Sequence, residues 1–340
     1  MTVVQSEVRG RAGVVTLNRP EAINALNLDM IRELHRVLRA WADDDAVALV
    51  ILRGAGERGL CAGGDIASLY HDALSQGSDG AVFWKEEYEL IHYIANYPKP
   101  YVSLMEGIVL GGGIGVSAHG SHRVVTDDSR IGMPEVGIGY SPDAGGSYLL
   151  ARSADRLGRH LAYTALHVGA AEAIDTGFAD VFVPKDSLGA LVDALCEAGD
   201  PSVLDQFVTP IGPGFGDDRA EMVDAYAAET AAETLTRLEE LEAVGSEWAA
   251  KAAKAMRRSS PLGIVIAQAA LDAPLDLADT LTREFWMSLH MQRGPEFVEG
   301  IRAQIIDKDR NPTWTHTSLA DVPDVSDYFD PIDGITPPQF

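Results

Sequence analysis

The chain has 340 residues and carries 51 acidic against 27 basic side chains, a formal charge of −24. That balance argues against nucleic acid or an anionic membrane surface as a main partner, because both need a basic footprint. Hydrophobic residues make up 46% of the chain, enough for a sizeable core, yet no apolar run reaches the roughly 18 residues of a membrane span.

The N-terminal segment reads as a hairpin whose second strand is VVTLN (14–18). A helix follows over 28–44, where Ile31, Leu34, Leu38 and Trp41 recur at spacings of three and four and give it one buried face. ALVILRG (48–54) is the next apolar, β-branched strand. LCAGGDIASLY then passes from Gly63 and Gly64 into a helix starting near Asp65. A helix over 81–97 ends at Pro98 and Pro100, and the strand YVSLME (101–106) follows. LGGGIGVSAHG opens a short helix of small residues at Gly111 and Gly112, and HRVVT (122–126) is a further strand. Strands alternating with helices define an α/β class.

After residue 185 the character changes. Segments 186–198, 218–243, 247–257, 260–273 and 277–291 are rich in Ala, Leu and Glu with helical periodicity, and 199–217 is a Pro/Gly linker. Residues 1–198 are therefore expected to form the core that holds the site, and 199–340 a helical region ending in an acidic, Pro-rich tail that wraps the surface or frays.

Each buried strand thus ends in a glycine-rich break that opens a helix. Amides at a helix start have no partner inside the helix, and the dipole there favours negative charge. Glycine lets a ligand atom approach such amides without meeting a Cβ. Downstream, MPEVGIGYSPDAGG (133–146) sets Glu135 and Asp143 in an otherwise uncharged loop. Two acids beside free amides are the parts that an acyl-transfer site needs.

Other chemistries fit less well. Gly113-x-Gly115-x-x-Ala118 follows a strand and partly matches a dinucleotide fingerprint, but Asp127 and Asp128 arrive only 14–15 residues after Gly113 instead of roughly 20. Cys61 has no sequence neighbour that would lower its pKa. Ser141 precedes Pro142 and lies in no G-x-S-x-G elbow. Two cysteines support neither a disulfide framework nor a Cys-rich zinc site, and nine histidines form no HExxH pair, so neither metal nor cofactor is expected. With no targeting pattern at the N-terminus, the expected compartment is the cytoplasm.

The residues VVTLNRPEAINALN (14–27), LCAGGDI (60–66), KEEYEL (85–90), KPYVSLMEGIVLGGGIGVSAHG (99–120), MPEVGIGYSPDAGGSYLL (133–150) and EFVEGIRAQIIDKDRNPTW (296–314) together resemble the crotonase superfamily, the enoyl-CoA hydratase/isomerase fold. The likeness is greatest to its 3-hydroxyisobutyryl-CoA hydrolase branch. It implies a crotonase-like fold of repeated β-β-α turns with a helical C-terminal part. It also implies an acyl-CoA substrate, with CoA a part of that substrate rather than a cofactor, and a homo-oligomeric assembly. By resemblance, the amides of Gly64 and Gly112 hold the thioester oxygen, Ala62, Asp65 and Ile66 lie along CoA, and Glu87 is a substrate-side acid.

Hydratases of the superfamily use two glutamates, one of them three residues past the oxyanion glycine. Here that position is Gly115, whereas Glu135 is kept and Asp143 stands where hydratases usually have glycine. The implied activity is hydrolysis of 3-hydroxyisobutyryl-CoA, and of 3-hydroxypropionyl-CoA, in valine breakdown. Glu135 would act as nucleophile or as general base, and Asp143 would bond the 3-hydroxyl or pass a proton to the leaving thiolate. Arg19, Arg53 and Arg58 are candidates for the CoA phosphates.

Overall fold

The computed structural model describes residues 2–340. Nine strands are present among them: β1 (Val4–Arg9), β2 (Ala12–Leu17), β3 (Leu49–Gly54), β4 (Tyr101–Met105), β5 (Ile108–Leu110), β6 (His122–Val125), β7 (Arg130–Gly132), β8 (His167–Val168) and β9 (Val181–Phe182). The first sheet runs β1-β2-β3-β4-β6-β9 and is parallel except for the β1–β2 hairpin. The second runs β5-β7-β8. Single bridges extend this second sheet, pairing Cys61 with Val109 and Leu26 with Gly64.

Each turn of chain therefore lays one rung on the first sheet, one on the second, and then a helix. β2 leads to Leu26 and the helix Leu28–Ala42. β3 leads to residues 61–64 and the helices Ile66–Ser75 and Asp79–Ala95. β4 leads to β5 and the helix Gly112–Ser117, and β6 leads to β7 and the helix Gly146–Arg152. This is the β-β-α repeat that the sequence resemblance implied. The second-sheet rungs are too short for period-two alternation to reveal them, so β5, β7 and β8 have no counterpart among the expected elements, and neither has the two-residue β9 at the edge of the first sheet.

Strand alternation divides the core. Ala12, Val14, Leu49, Ile51, Val102, Leu104 and Val124 face one side and pack under Leu188, Leu191, Val192 and Leu195 of the helix Leu188–Ala198. The intervening residues, among them Val15, Leu17, Val50 and Leu52, face the larger core, which also takes Phe285, Met287 and Phe297 from the C-terminal helices. Asn24 ties the second turn in place, because its buried Nδ2 donates to the carbonyls of Ala55, Gly59 and Leu60.

The helix expected over 218–243 is two helices, Arg219–Tyr226 and Ala231–Ala243. Thr230 starts the second: its side chain accepts from Glu233 N, and Glu233 reaches back to the Thr230 amide. That capping box stops one helix and opens another inside a continuous helical pattern. The acidic tail lies along the surface, with the Pro337 carbonyl accepting from Lys85 and the Phe340 ring 4.5 Å from His92.

Candidate active site

Two of the glycine breaks face one another. The Leu26–Gly64 bridge uses the Gly63 carbonyl and the Asp65 amide, which leaves Gly64 N–H with no acceptor among the described residues. Gly112 is the first residue of its helix, so its N–H also has none. The two amides are close: a Cβ placed on Gly112 would lie 3.4 Å from Gly64 N. Gly111 turns the chain into the helix at φ +49°, and a Cβ there would approach Glu135 Oε1 at 2.7 Å. Glycine is required here by both backbone angle and space.

Opposite these amides is a wall of acids. A cavity of about 60 Å³ is lined by Ala62, Gly64, Ile66, Glu87, Gly112, Glu135 and Asp143, and closed by Phe83, Trp84 and Tyr140 among others. Glu87 comes from the helix Asp79–Ala95, and its Oε1 has no hydrogen-bond partner. Glu135 opens a short 3-10 turn after Pro134, and its Oε2 is likewise unpartnered. Asp143 Oδ2 accepts from Tyr88 Oη at 2.7 Å and Tyr140 Oη at 3.1 Å.

Among the described residues no cation lines this cavity. Burial, and then repulsion from Asp143, push Glu87 and Glu135 well above the usual carboxyl range. Burial also raises Asp143, but the two tyrosine donors oppose it and hold the group at about 6. A carboxyl with a raised pKa is a stronger base once ionised, and one near 6 can exchange a proton at neutral pH.

The structure brings Gly64, Gly112, Glu87, Glu135, Asp143, Ala62 and Ile66 to one cavity. Asp65 lies in the adjoining recess of about 340 Å³ and pairs with Arg19 at 3.0 Å. Arg58 is held by the carbonyls of Pro20 and Glu21, and neither it, Arg19 nor Arg53 lines the cavity. The Cys61 thiol is buried against Asn24 O and pushed up to about 12, which removes it as a nucleophile. The residues that sequence reasoning missed are Tyr140, three residues before Asp143, and Tyr88, Ser288 and Glu284, which reach Asp143 or its loop from distant parts of the chain.

Such paired backbone amides on a β-β-α spiral define a class: the chain belongs to the enoyl-CoA hydratase/isomerase family, which matches residues 12–329. Within it, the mitochondrial 3-hydroxyisobutyryl-CoA hydrolase of Rattus norvegicus is 37% identical over 338 residues, covering 95% of this chain and 87% of the relative. The Homo sapiens counterpart is 35% identical over 332 residues, covering 93% and 85%. Among solved structures, a carnitinyl-CoA dehydratase from Mycobacterium thermoresistibile matches with a TM-score of 0.92 at 41% identity, covering 98% of each chain. An enoyl-CoA hydratase from Rhodobacter sphaeroides 2.4.1 matches with a TM-score of 0.90 at 38% identity, covering 97% and 98%. Among the described residues no helix is long and apolar enough to cross a membrane.

Proposed function

We propose that this protein hydrolyses short 3-hydroxyacyl-CoA thioesters, 3-hydroxyisobutyryl-CoA first and 3-hydroxypropionyl-CoA second, to the 3-hydroxy acid and CoA. One observation carries the choice between hydrolase and hydratase. At position 115, where a hydratase has its first glutamate, glycine stands, and a Cβ there would meet Ile91 Cδ1 at 2.5 Å and Ala144 Cβ at 3.1 Å, so an acid would require its neighbours to shift. Asp143 supplies the second carboxylate from the other side of the cavity. The hydrolase names of the curated relatives support the same reading.

The thioester oxygen sits between Gly64 N–H and Gly112 N–H, which polarise the carbonyl and hold the tetrahedral oxyanion. One such donor is worth about 3–4 kcal/mol of barrier. Glu135, ionised on substrate binding, attacks the carbonyl carbon; the C–S bond breaks and CoA leaves as a thiolate that takes a proton. Water then hydrolyses the resulting mixed anhydride. If Glu135 instead activates water, the same oxyanion forms in a single attack. Both tyrosines address Asp143 Oδ2, and the other oxygen is proposed to bond the substrate's 3-hydroxyl. No step calls on a metal or redox group. The small cavity, ended by the buried Trp84, suits an acyl group of three or four carbons.

We place the reaction in valine breakdown, and the enzyme in a reducing compartment such as the cytoplasm, which suits two buried free cysteines. The relatives quoted above are named as mitochondrial.

A second reading is hydration of an enoyl-CoA, favoured by the unpartnered Glu87 Oε1 across from Glu135. A thiol-release panel separates the two. The 3-hydroxyisobutyryl and 3-hydroxypropionyl thioesters should turn over at least ~10²-fold faster than the isobutyryl one, because the buried acid is left unpaired without the hydroxyl. Loss of crotonyl-CoA absorbance with no thiol released would overturn the hydrolase reading.

A further inference from the structure

Glu284 lies in the middle of the helix Leu277–Gln292, 1% exposed, and makes no close ion pair among the described residues. Both of its oxygens are taken by the loop that carries Asp143. Gly145 N donates to Oε2 at 2.7 Å, while Ser147 N and Ser147 Oγ donate to Oε1 at 3.0 Å and 2.6 Å. The neighbouring Arg283 acts on it only from a distance, since its guanidinium donates to the carbonyls of Ala270 and Ala273.

That loop needs holding. Ala144 has φ +55° and Gly145 φ +74°, two successive left-handed residues directly after Asp143, and alanine adopts this region rarely. The helix Gly146–Arg152 that follows has no side-chain N-cap from its own N-cap residue: the Gly146 amide donates to the Asp143 carbonyl, and the Ser147 amide depends on Glu284. One turn along, Ser288 Oγ donates to the Glu284 carbonyl at 2.7 Å and stands between the hydroxyls of Tyr88 and Tyr140. A hydroxyl has one proton to give. With Ser288 committed to that carbonyl, it has no proton to give the tyrosines, so Tyr88 is free to donate its own to Asp143.

We propose that Glu284 is the positioning residue for Asp143: it fixes the main chain of the 143–147 loop, while Ser288 and the tyrosines on the same side fix the carboxylate. This rests on the hydrolase reading and assigns the helical C-terminal region a direct part in substrate discrimination. A buried carboxylate is costly unless it is hydrogen-bonded, and three donors of one loop supply those bonds here.

The test is a double-mutant cycle on thiol release. Glu284→Gln presents an amide NH2 where an N–H donor needs an acceptor. Its kcat on 3-hydroxyisobutyryl-CoA should fall on the order of 50-fold with KM within about threefold, and discrimination against isobutyryl-CoA should drop roughly tenfold. In an Asp143→Asn background the same substitution should lower kcat less than about twofold. Losses that multiply, or undiminished discrimination, would overturn the assignment. Should Glu284→Gln fail to fold, Ser147→Ala keeps both backbone bonds and should show the same non-additivity at about fivefold. A wild-type protein that hydrates an enoyl thioester instead sinks only the hydrolase reading, and the cycle read on that reaction then decides Glu284.

Discussion

The two walls of the cavity obey different physics. The glycine wall is backbone: Gly64 and Gly112 N–H are aimed by bridges and rungs of the second sheet, carry no ionisable group, and lie within one continuous spiral. The acid wall is made of the side chains of Glu87, Glu135 and Asp143, with Glu284 behind it outside the cavity, and all four are buried and raised in pKa. The first wall is fixed by register and responds to steric change. The second is held by burial and a few neutral donors, and responds to charge and pH.

The sharpest way to break that comparison is Glu135→Gln, which keeps shape and removes the charge. Thiol release should fall by a factor on the order of 10³ or more, while the circular dichroism spectrum stays that of the wild type. Retained activity would remove Glu135 from the chemistry and leave the acid wall without a nucleophile or base. Next in size is Gly112→Ala. Its methyl would run into Glu87 Oε1 and sit 3.4 Å from Gly64 N, so kcat should drop roughly 10²–10³-fold. Because this wall does not titrate, the pH profile of the residual activity should keep the wild-type shape. A displaced acid limb would mean that the walls are not independent.

How much of this was legible follows from sequence separation. Glu135 and Asp143 fall in one short loop, and the glycines announce close approach wherever they cluster, so both walls could be sketched from local pattern. Glu87 could be picked out only by resemblance, since KEEYEL looks like any helix surface. Glu284 and Ser288 reach the site across 139 and 200 residues, a distance at which no local rule operates. A signal did exist. Thr280, Glu284, Ser288 and Gln292 recur at spacing four and are all buried, a polar stripe inside an otherwise apolar face. A helix that merely packed would have filled those positions with Leu or Ala. Likewise the fold class was readable from strand–helix alternation, whereas rungs of two or three residues have no period to detect.

The smallest expected effect concerns stability and tests the acid wall from the other side. Glu87 has a raised pKa in the fold, caused first by burial and then by the neighbouring carboxylates. The folded state therefore holds its proton more tightly than the unfolded chain. The stability this contributes is fully present below the unfolded value, about 4.3, and is lost as pH rises through the folded pKa. Glu87→Gln never ionises and never incurs that loss. The variant should melt higher than the wild type at pH 8, by ~3 °C for a penalty of about 1 kcal/mol, and should lose this advantage at pH 4. Thermal melts at the two pH values decide it. A variant equally shifted at both, or destabilised at pH 8, would mean that Glu87 is held by a donor, and the acid wall would then be a hydrogen-bonded network rather than a set of carboxyls strained by burial.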